Sequence, residues 1–177
     1  IAYEIGDLEN ALAEFRRWKT RLTQASMQTW DGTFSGFQSF VQCTPVINDE
    51  LQRLLRVPGT EWEHLFTGAG WRTYSPPDEK DRRLACIYRL LIANRAIPIA
   101  KIGLTLRYSG KAGEQFAAVT REIVFELFDH IESVLEEKLQ YARQTPMGHA
   151  ATLPGGKDVP FADVESLLRR KLSDTER

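Results

Sequence analysis

A long and regular stripe of apolar residues between residues 114 and 140 constrains the fold more than any other feature of this chain. Val124, Phe125 and Phe128 widen the stripe, whose members recur every three or four residues: Phe116, Val119, Ile123, Leu127, Ile131, Val134 or Leu135, and Leu139. This spacing is typical of an amphipathic α-helix with one buried face. A helix of this length, with a face wide enough to contact several neighbours, predicts a mainly helical fold built around it.

Shorter segments predict further helices. Apolar residues recur at helical spacing from Ile5, in residues 48–57 and in residues 78–95, and the glycine-containing stretch 29–36 is expected to end the first helix. In residues 97–108 apolar and polar positions alternate in part, which is the pattern of a strand. We therefore expect a mainly α fold, a helical bundle of about six helices, with a short extended segment near residues 97–108.

The chain divides into three parts by composition. Residues 1–144 carry the periodic segments and are expected to form one helical domain. Residues 145–159 are rich in Pro, Gly and Ala and have no periodicity, so they are expected to form a flexible linker. Residues 160–177 contain a few apolar positions at helical spacing and predict a C-terminal helix, either docked or mobile.

The overall composition excludes several classes of protein. The 177 residues include 23 Lys and Arg against 24 Asp and Glu, for a net charge of -1, which excludes a strongly basic nucleic-acid binder. Nucleic acid could bind only through a local basic patch. No apolar stretch is long enough for a transmembrane helix, so we expect no membrane partner. The 2 cysteines lack CxxC spacing, which favours a reduced, cytoplasmic setting.

The near-neutral total conceals two oppositely charged segments. Residues 78–111 carry a net charge of +5 and residues 114–137 a net charge of -6. Either the two segments are antiparallel neighbours whose flanks attract, or each faces a partner of opposite charge. In the second case the stretch from Arg82 to Arg107 would face an acidic or phosphate-bearing partner, and a phosphate- or nucleotide-sensing domain is one alternative function.

Two groups of residues are candidates for an interaction surface. Trp71, Arg72 and Tyr74 lie in a glycine-containing loop, and tryptophan, tyrosine and arginine are enriched at the energetic centres of protein interfaces. The basic stretch adds four arginines, which are Arg82, Arg83, Arg89 and Arg95. These residues predict binding to a protein partner, or self-association, as the main function.

Candidate catalytic residues are few. The three histidines form no recognised metal-ligand pattern with another His or Cys, and no nucleophile motif or phosphate-binding glycine loop is present. We therefore expect neither a metal site nor a cofactor, and the sequence leans against an enzyme.

One pair resembles a known catalytic motif. Arg143 and His149 are separated by five residues near the end of the long helix, a spacing that resembles the motif of the HEPN ribonucleases. That resemblance implies metal-independent cleavage of RNA, in which the Arg and His promote attack of a 2'-hydroxyl on phosphate. Pro146 and Gly148 lie between the two residues and would break the helix on which the family places them.

A second resemblance concerns residues 117–139, AAVTREIVFELFDHIESVLEEKL, with the preceding IPIAKIGLTLRYSG. Together they look like the helical accessory modules of bacterial stress and anti-phage defence proteins. The resemblance covers about a quarter of the chain and implies an accessory or regulatory domain in a larger assembly. It brings no catalytic residues with it.

Overall fold

The computed structural model describes residues 3–68, 70 and 72–144, and this part of the chain is mainly helical. The elements are α1 (Ile5–Gln24), α2 (Trp30–Gln42), α3 (Pro45–Leu55), a 3-10 turn (Trp62–Leu65), β1 (Phe66–Thr67), β2 (Thr73–Tyr74), α4 (Lys80–Ala93), α5 (Ala96–Thr105), α6 (Ala112–Val119), a π-turn (Thr120–Val124) and α7 (Phe125–Gln144). Segments α6, π-turn and α7 follow one another without a break and are called the long helix. Counted so, the described residues form six helices, as the sequence predicts. The proposed linker 145–159 and the C-terminal helix 160–177 lie outside the described residues.

The strands form a two-residue antiparallel hairpin in which Phe66 pairs with Tyr74. No helix among the described residues is long and apolar enough to cross a membrane.

The expectation of an extended segment near residues 97–108 is wrong, because α5 covers most of it. Pro98 lies in the first turn of α5, where its missing N–H would have had no intrahelical acceptor. The residues that α5 buries follow helical spacing and are Ala96, Ile99, Ala100, Ile102 and Gly103. The partial alternation of isoleucines therefore reflects an amphipathic helix, and the strands occur earlier in the chain.

Aromatic side chains join the long helix to α1 and α2. The Phe128 ring centroid lies 5.3 Å from that of Phe37 in α2 and 6.4 Å from that of Phe15 in α1. Trp30 belongs to the glycine-containing stretch that we expected to end the first helix; it begins α2 and is only 1% exposed. Its ring stacks on Phe34 and meets the edge of Phe116 at 5.3 Å. These rings form the centre of the core.

Helices α5 and α6 approach each other closely at Gly103. A Cβ atom at this position would lie 2.7 Å from the backbone oxygen of Gln115, so only glycine fits without a shift of the backbone. The turn between the helices begins at Arg107, whose φ of 61° is left-handed and unusual for a residue other than glycine. Hydrogen bonds from the Tyr108 and Arg107 amides to the Gly103 and Leu104 carbonyls close the end of α5.

Replacing Gly103 with alanine tests this close approach. Alanine favours helix, but its methyl group would collide with a backbone atom, so we expect Gly103→Ala to lower the free energy of unfolding by about 1–3 kcal/mol. Urea unfolding measures the change. Gly113→Ala is the matched control, because its added Cβ meets no atom within 4 Å; we expect it to be neutral or to stabilise the protein by up to about 1 kcal/mol. Equal effects of the two substitutions would contradict the steric explanation.

Candidate interaction surface

The arginines of the basic stretch divide between internal contacts and the surface. Arg83 is half-buried, and its Nε donates to Glu126 of the long helix at 2.7 Å. Its Nη1 donates to the carbonyl oxygens of Pro77 and Asp78 at 3.0 and 3.1 Å. This side chain therefore connects α4, the long helix and the loop that precedes α4.

Arg89 also serves the interior of the domain. Its guanidinium donates to the carbonyl oxygen of Leu55 at 2.9 Å and to the hydroxyl of Thr60, which is 2% exposed, at 3.0 Å. Arg82 lies on the same side of α4 and reaches the Gly59 carbonyl at 3.4 Å. Both side chains hold the loop that follows α3. Arg95 is exposed and precedes the first residue of α5.

Two of the three loop candidates, Arg72 and Tyr74, lie at the small hairpin. Arg72 is exposed, whereas Tyr74 is half-buried and its ring centroid lies 6.1 Å from that of Phe66. Burial, with the charge of Glu126 nearby, raises the pKa of Tyr74 to about 12. Trp71 lies outside the described residues. The Tyr74 ring thus packs within the hairpin. Of the two described loop candidates, Arg72 is the one that is exposed to solvent.

Arg143 of the proposed ribonuclease pair makes an ion pair. Its Nη2 lies 2.6 Å from Glu9 of α1. His149 lies outside the described residues, so the described part of the chain does not bring the pair together.

The acidic side of the long helix faces α1. Lys19 lies 2.6 Å from both Asp129 and Glu132, and Arg16 pairs with Glu132 at 2.6 Å and with Glu136. The later residue of α1 pairs with earlier residues of α7, which shows that the two helices run antiparallel. Among the described basic residues between 78 and 111, Arg83 alone forms an ion pair with the long helix. The acidic helix therefore does not cover the basic stretch.

A half-buried polar cluster, defined by Glu50, Arg53, Asp81 and His130, joins α3, α4 and α7. The Nε2 of His130 donates to Glu50 at 2.8 Å, and both side chains are 10% exposed. Arg53 donates to Glu50 at 2.7 Å and to Asp81 at 2.5 Å. The other ring nitrogen of His130, Nδ1, is buried and has no hydrogen-bond partner among the described residues. The sequence gives no signal for this cluster, because Glu50 and His130 are 80 positions apart.

The cluster strongly favours an ionised carboxylate. The hydrogen bond from His130 and those from Arg53 outweigh burial and lower the pKa of Glu50 to about 2. The described residues contain no group of three or more His, Cys, Asp or Glu side chains that could hold a metal ion. The cluster therefore fits a structural role in joining three helices.

Large apolar side chains are exposed near α5. Ile92 at the end of α4 is 46% exposed, and Ile97 and Leu104 of α5 are each 62% exposed. The expectation of an extended segment in residues 97–108 concealed this surface in the sequence. The periodicity contains the signal: Ile97, Lys101 and Leu104 are spaced i, i+4, i+7 and share one side of the helix. These three residues define the α5 face.

A groove lies beside the start of α5, between α2 and the end of α4. Its volume is about 450 Å³, and it is lined by residues that include Phe34, Gln38, Ile92 and Arg95. Asp31 also lines the groove, and its Oδ1 accepts a hydrogen bond from the Ala96 amide at 2.9 Å. This contact fixes the start of α5 against α2.

Acid titration tests the polar cluster. The pKa of Glu50 is about 2 in the folded protein against 4.5 for the free group, so the folded state binds this proton more weakly than the unfolded state. We expect the cluster to stabilise the fold above pH 4.5, by about 2–3 kcal/mol, and to lose this contribution as the pH falls from 4.5 towards 2. Urea unfolding across this range should show that the free energy of unfolding depends less on pH in Glu50→Gln than in the wild type. The exposed Glu137→Gln should keep the slope of the wild type, and a similar flattening there would refute the assignment.

Substitutions of Arg89 and Arg95 separate internal from surface arginines. Arg89→Met retains an apolar stem but removes the donors to Leu55 and Thr60, so we expect it to lower the free energy of unfolding by about 1–3 kcal/mol. Arg95→Met, at an exposed site, should change that free energy by less than about 0.5 kcal/mol. Thermal and urea unfolding check both values. A loss at Arg95 as large as that at Arg89 would mean that the Arg89 contacts are not the cause.

Comparisons with known proteins find no match to a family model, to a curated protein or to a solved structure. An all-helical bundle does not by itself specify an activity. Evidence for its function therefore comes from the contacts and surfaces of this chain.

Proposed function

We propose that this domain is a protein-interaction module within a larger assembly. The observation that carries the proposal is the exposure of Ile92, Ile97 and Leu104 along one short stretch of the chain. Isolated exposed aliphatic residues are common, but neighbouring ones lower solubility and are typical of surfaces that a partner covers. The same stretch includes the groove beside α5, which could receive a partner side chain.

The other arrangements receive less support. Arg83 and Arg89 are occupied by contacts within the domain, which weakens the alternative of a phosphate-sensing surface. Arg143 is paired with Glu9, and no described residue supplies it with a catalytic partner. The resemblance of residues 117–139 to accessory modules of bacterial stress and defence proteins is the reason to place the proposed assembly in that class.

Co-purification with surface variants tests the proposal. The full chain is tagged in the cells from which it comes, and the recovered proteins are quantified for the wild type and for the double variant Ile97→Gln with Leu104→Gln. Glutamine retains helix propensity while it removes the apolar contact, so the fold should persist. We expect recovery of at least one specific protein to fall about tenfold, which corresponds to a loss of about 1.4 kcal/mol of binding free energy.

Tyr141→Gln is the control, because Tyr141 is 70% exposed on α7 and lies outside the α5 face. It should recover the same proteins as the wild type. Light scattering on the purified chain distinguishes self-association from binding to a different protein. Equal recovery by all variants, together with an oligomeric state unaffected by the double variant, would contradict the proposed function.

A further inference from the structure

The chemistry of the α5 face indicates which partner it fits. Successive residues of an α-helix are rotated by 100°, so Ile97, Lys101 and Leu104 lie within about 60° of one another around the axis. All three are exposed, and α5 packs against α6 through its opposite side, at Gly103. The face therefore presents a cation between two aliphatic side chains.

The surroundings of this face are uniformly basic in sequence. Residues 82–113 contain seven Lys and Arg residues and no Asp or Glu. Three acids from outside this stretch reach the ends of the α5 region, and each already accepts a hydrogen bond there. Asp31 accepts from the amide of Ala96, Glu114 from that of Lys111 at 3.0 Å, and Glu122 from the Tyr108 hydroxyl at 2.6 Å. Lys101 has no acidic partner among the described residues.

One of these seven basic residues, Arg107, lies in the turn after α5. Arg107 is exposed, and its left-handed backbone is one that glycine adopts more easily. Arg107 lies in the turn three residues after Leu104, the last residue of the α5 face.

These features discriminate between occupants. A symmetric contact with a second copy would place Lys101 near its own equivalent, and like charges in an interface are unfavourable. An amphipathic helix that binds lipid carries its cations on the polar side, whereas Lys101 lies between the two apolar residues. Nucleic acid would leave Ile97 and Leu104 without apolar contact. A protein segment that carries an acid between two apolar residues satisfies all three positions.

We propose that the α5 face binds an acidic amphipathic helix of a partner protein, with a partner carboxylate opposite Lys101 and apolar side chains covering Ile97 and Leu104. This inference rests on the proposed function and specifies the chemistry of the partner. The sequence of such a partner helix would carry apolar residues at i and i+7 with an acidic residue between them. The pairing gives specificity, because a partner with a basic residue at the central position would be repelled.

Charge reversal with defined probes tests the pairing. The probes are two labelled helical peptides of about 18 residues, identical except at one position. Both carry leucines at i and i+7, with Glu at i+4 in one and Lys at i+4 in the other. Fluorescence anisotropy measures their binding to the full-length chain and to Lys101→Glu. We expect the Glu peptide to bind the wild type and to lose about tenfold or more in affinity for Lys101→Glu, which should instead prefer the Lys peptide.

Lys138→Glu is the matched control, because it makes the same change in net charge at an exposed position of α7. It should leave the affinity for the Glu peptide within about twofold of the wild type, a difference of about 0.4 kcal/mol. Lys101→Gln provides a second variant with an intermediate loss. Equal effects of the changes at Lys101 and Lys138, equal binding of the two peptides by the wild type, or no binding of the Glu peptide would overturn the inference.

Two further measurements address the other occupants. Binding to vesicles of phosphatidylcholine and phosphatidylserine that Lys101→Glu abolishes would assign the face to a lipid surface and overturn the inference. A dimer that Lys101→Glu dissociates would assign the face to a second copy, with the same consequence. If the Ile97 and Leu104 double variant loses its cellular partner while Lys101→Glu retains it, the proposed function stands and the acidic partner is refuted.

Discussion

Packing of the other helices against the buried face of the long helix is the interaction on which the rest of the described domain depends. Each of the other five helices contacts it directly. The contacts are the close approach of α5 at Gln115, the Arg83–Glu126 ion pair from α4, the Glu50–His130 hydrogen bond from α3, and the aromatic contacts of Phe128 with α2 and α1. Burial of the apolar stripe supplies the main driving force, and the polar contacts determine where each neighbour lies.

This arrangement explains how the charges are distributed on the surface. The acids of α7 meet Arg16 and Lys19 of α1, so a large part of the acidic side of the long helix is neutralised inside the domain. The basic stretch receives little of that compensation. Its arginines that point inward hold loops in place, while the cations around α5 face solvent. A near-zero net charge therefore coexists with a local excess of positive charge beside exposed aliphatic residues.

The sequence predicts those parts of the fold whose energetics are local. The 3.6-residue stripe of the long helix and the helical patterns in α1 and α4 were sufficient, because each helix buries one continuous face. The prediction failed at α5, because partly alternating isoleucines fit both a strand and an amphipathic helix. The packing of Gly103 against Gln115 favours the helix, and this contact is visible only in the folded structure. Roles of single arginines were equally inaccessible. Arg89 and Arg95 belong to the same basic stretch, and only the position of the loop after α3 makes one internal. The Glu50–His130 contact joins distant parts of the chain and has no local pattern.

The π-turn at Thr120–Val124 allows the long helix to pack against different helices along its two halves. A π-turn places one more residue in a helical turn than the α-helix does, which rotates everything after it around the axis. Ile123 and Val124, adjacent in sequence, are both fully buried there. The buried face of α6 can thus pack against α5, while the buried face of α7 packs against α1 and α3. The single extra residue sets the rotation about the helix axis between these two faces. The two packing surfaces are aligned by an offset in helical phase, while the helical backbone continues without interruption from α6 to α7.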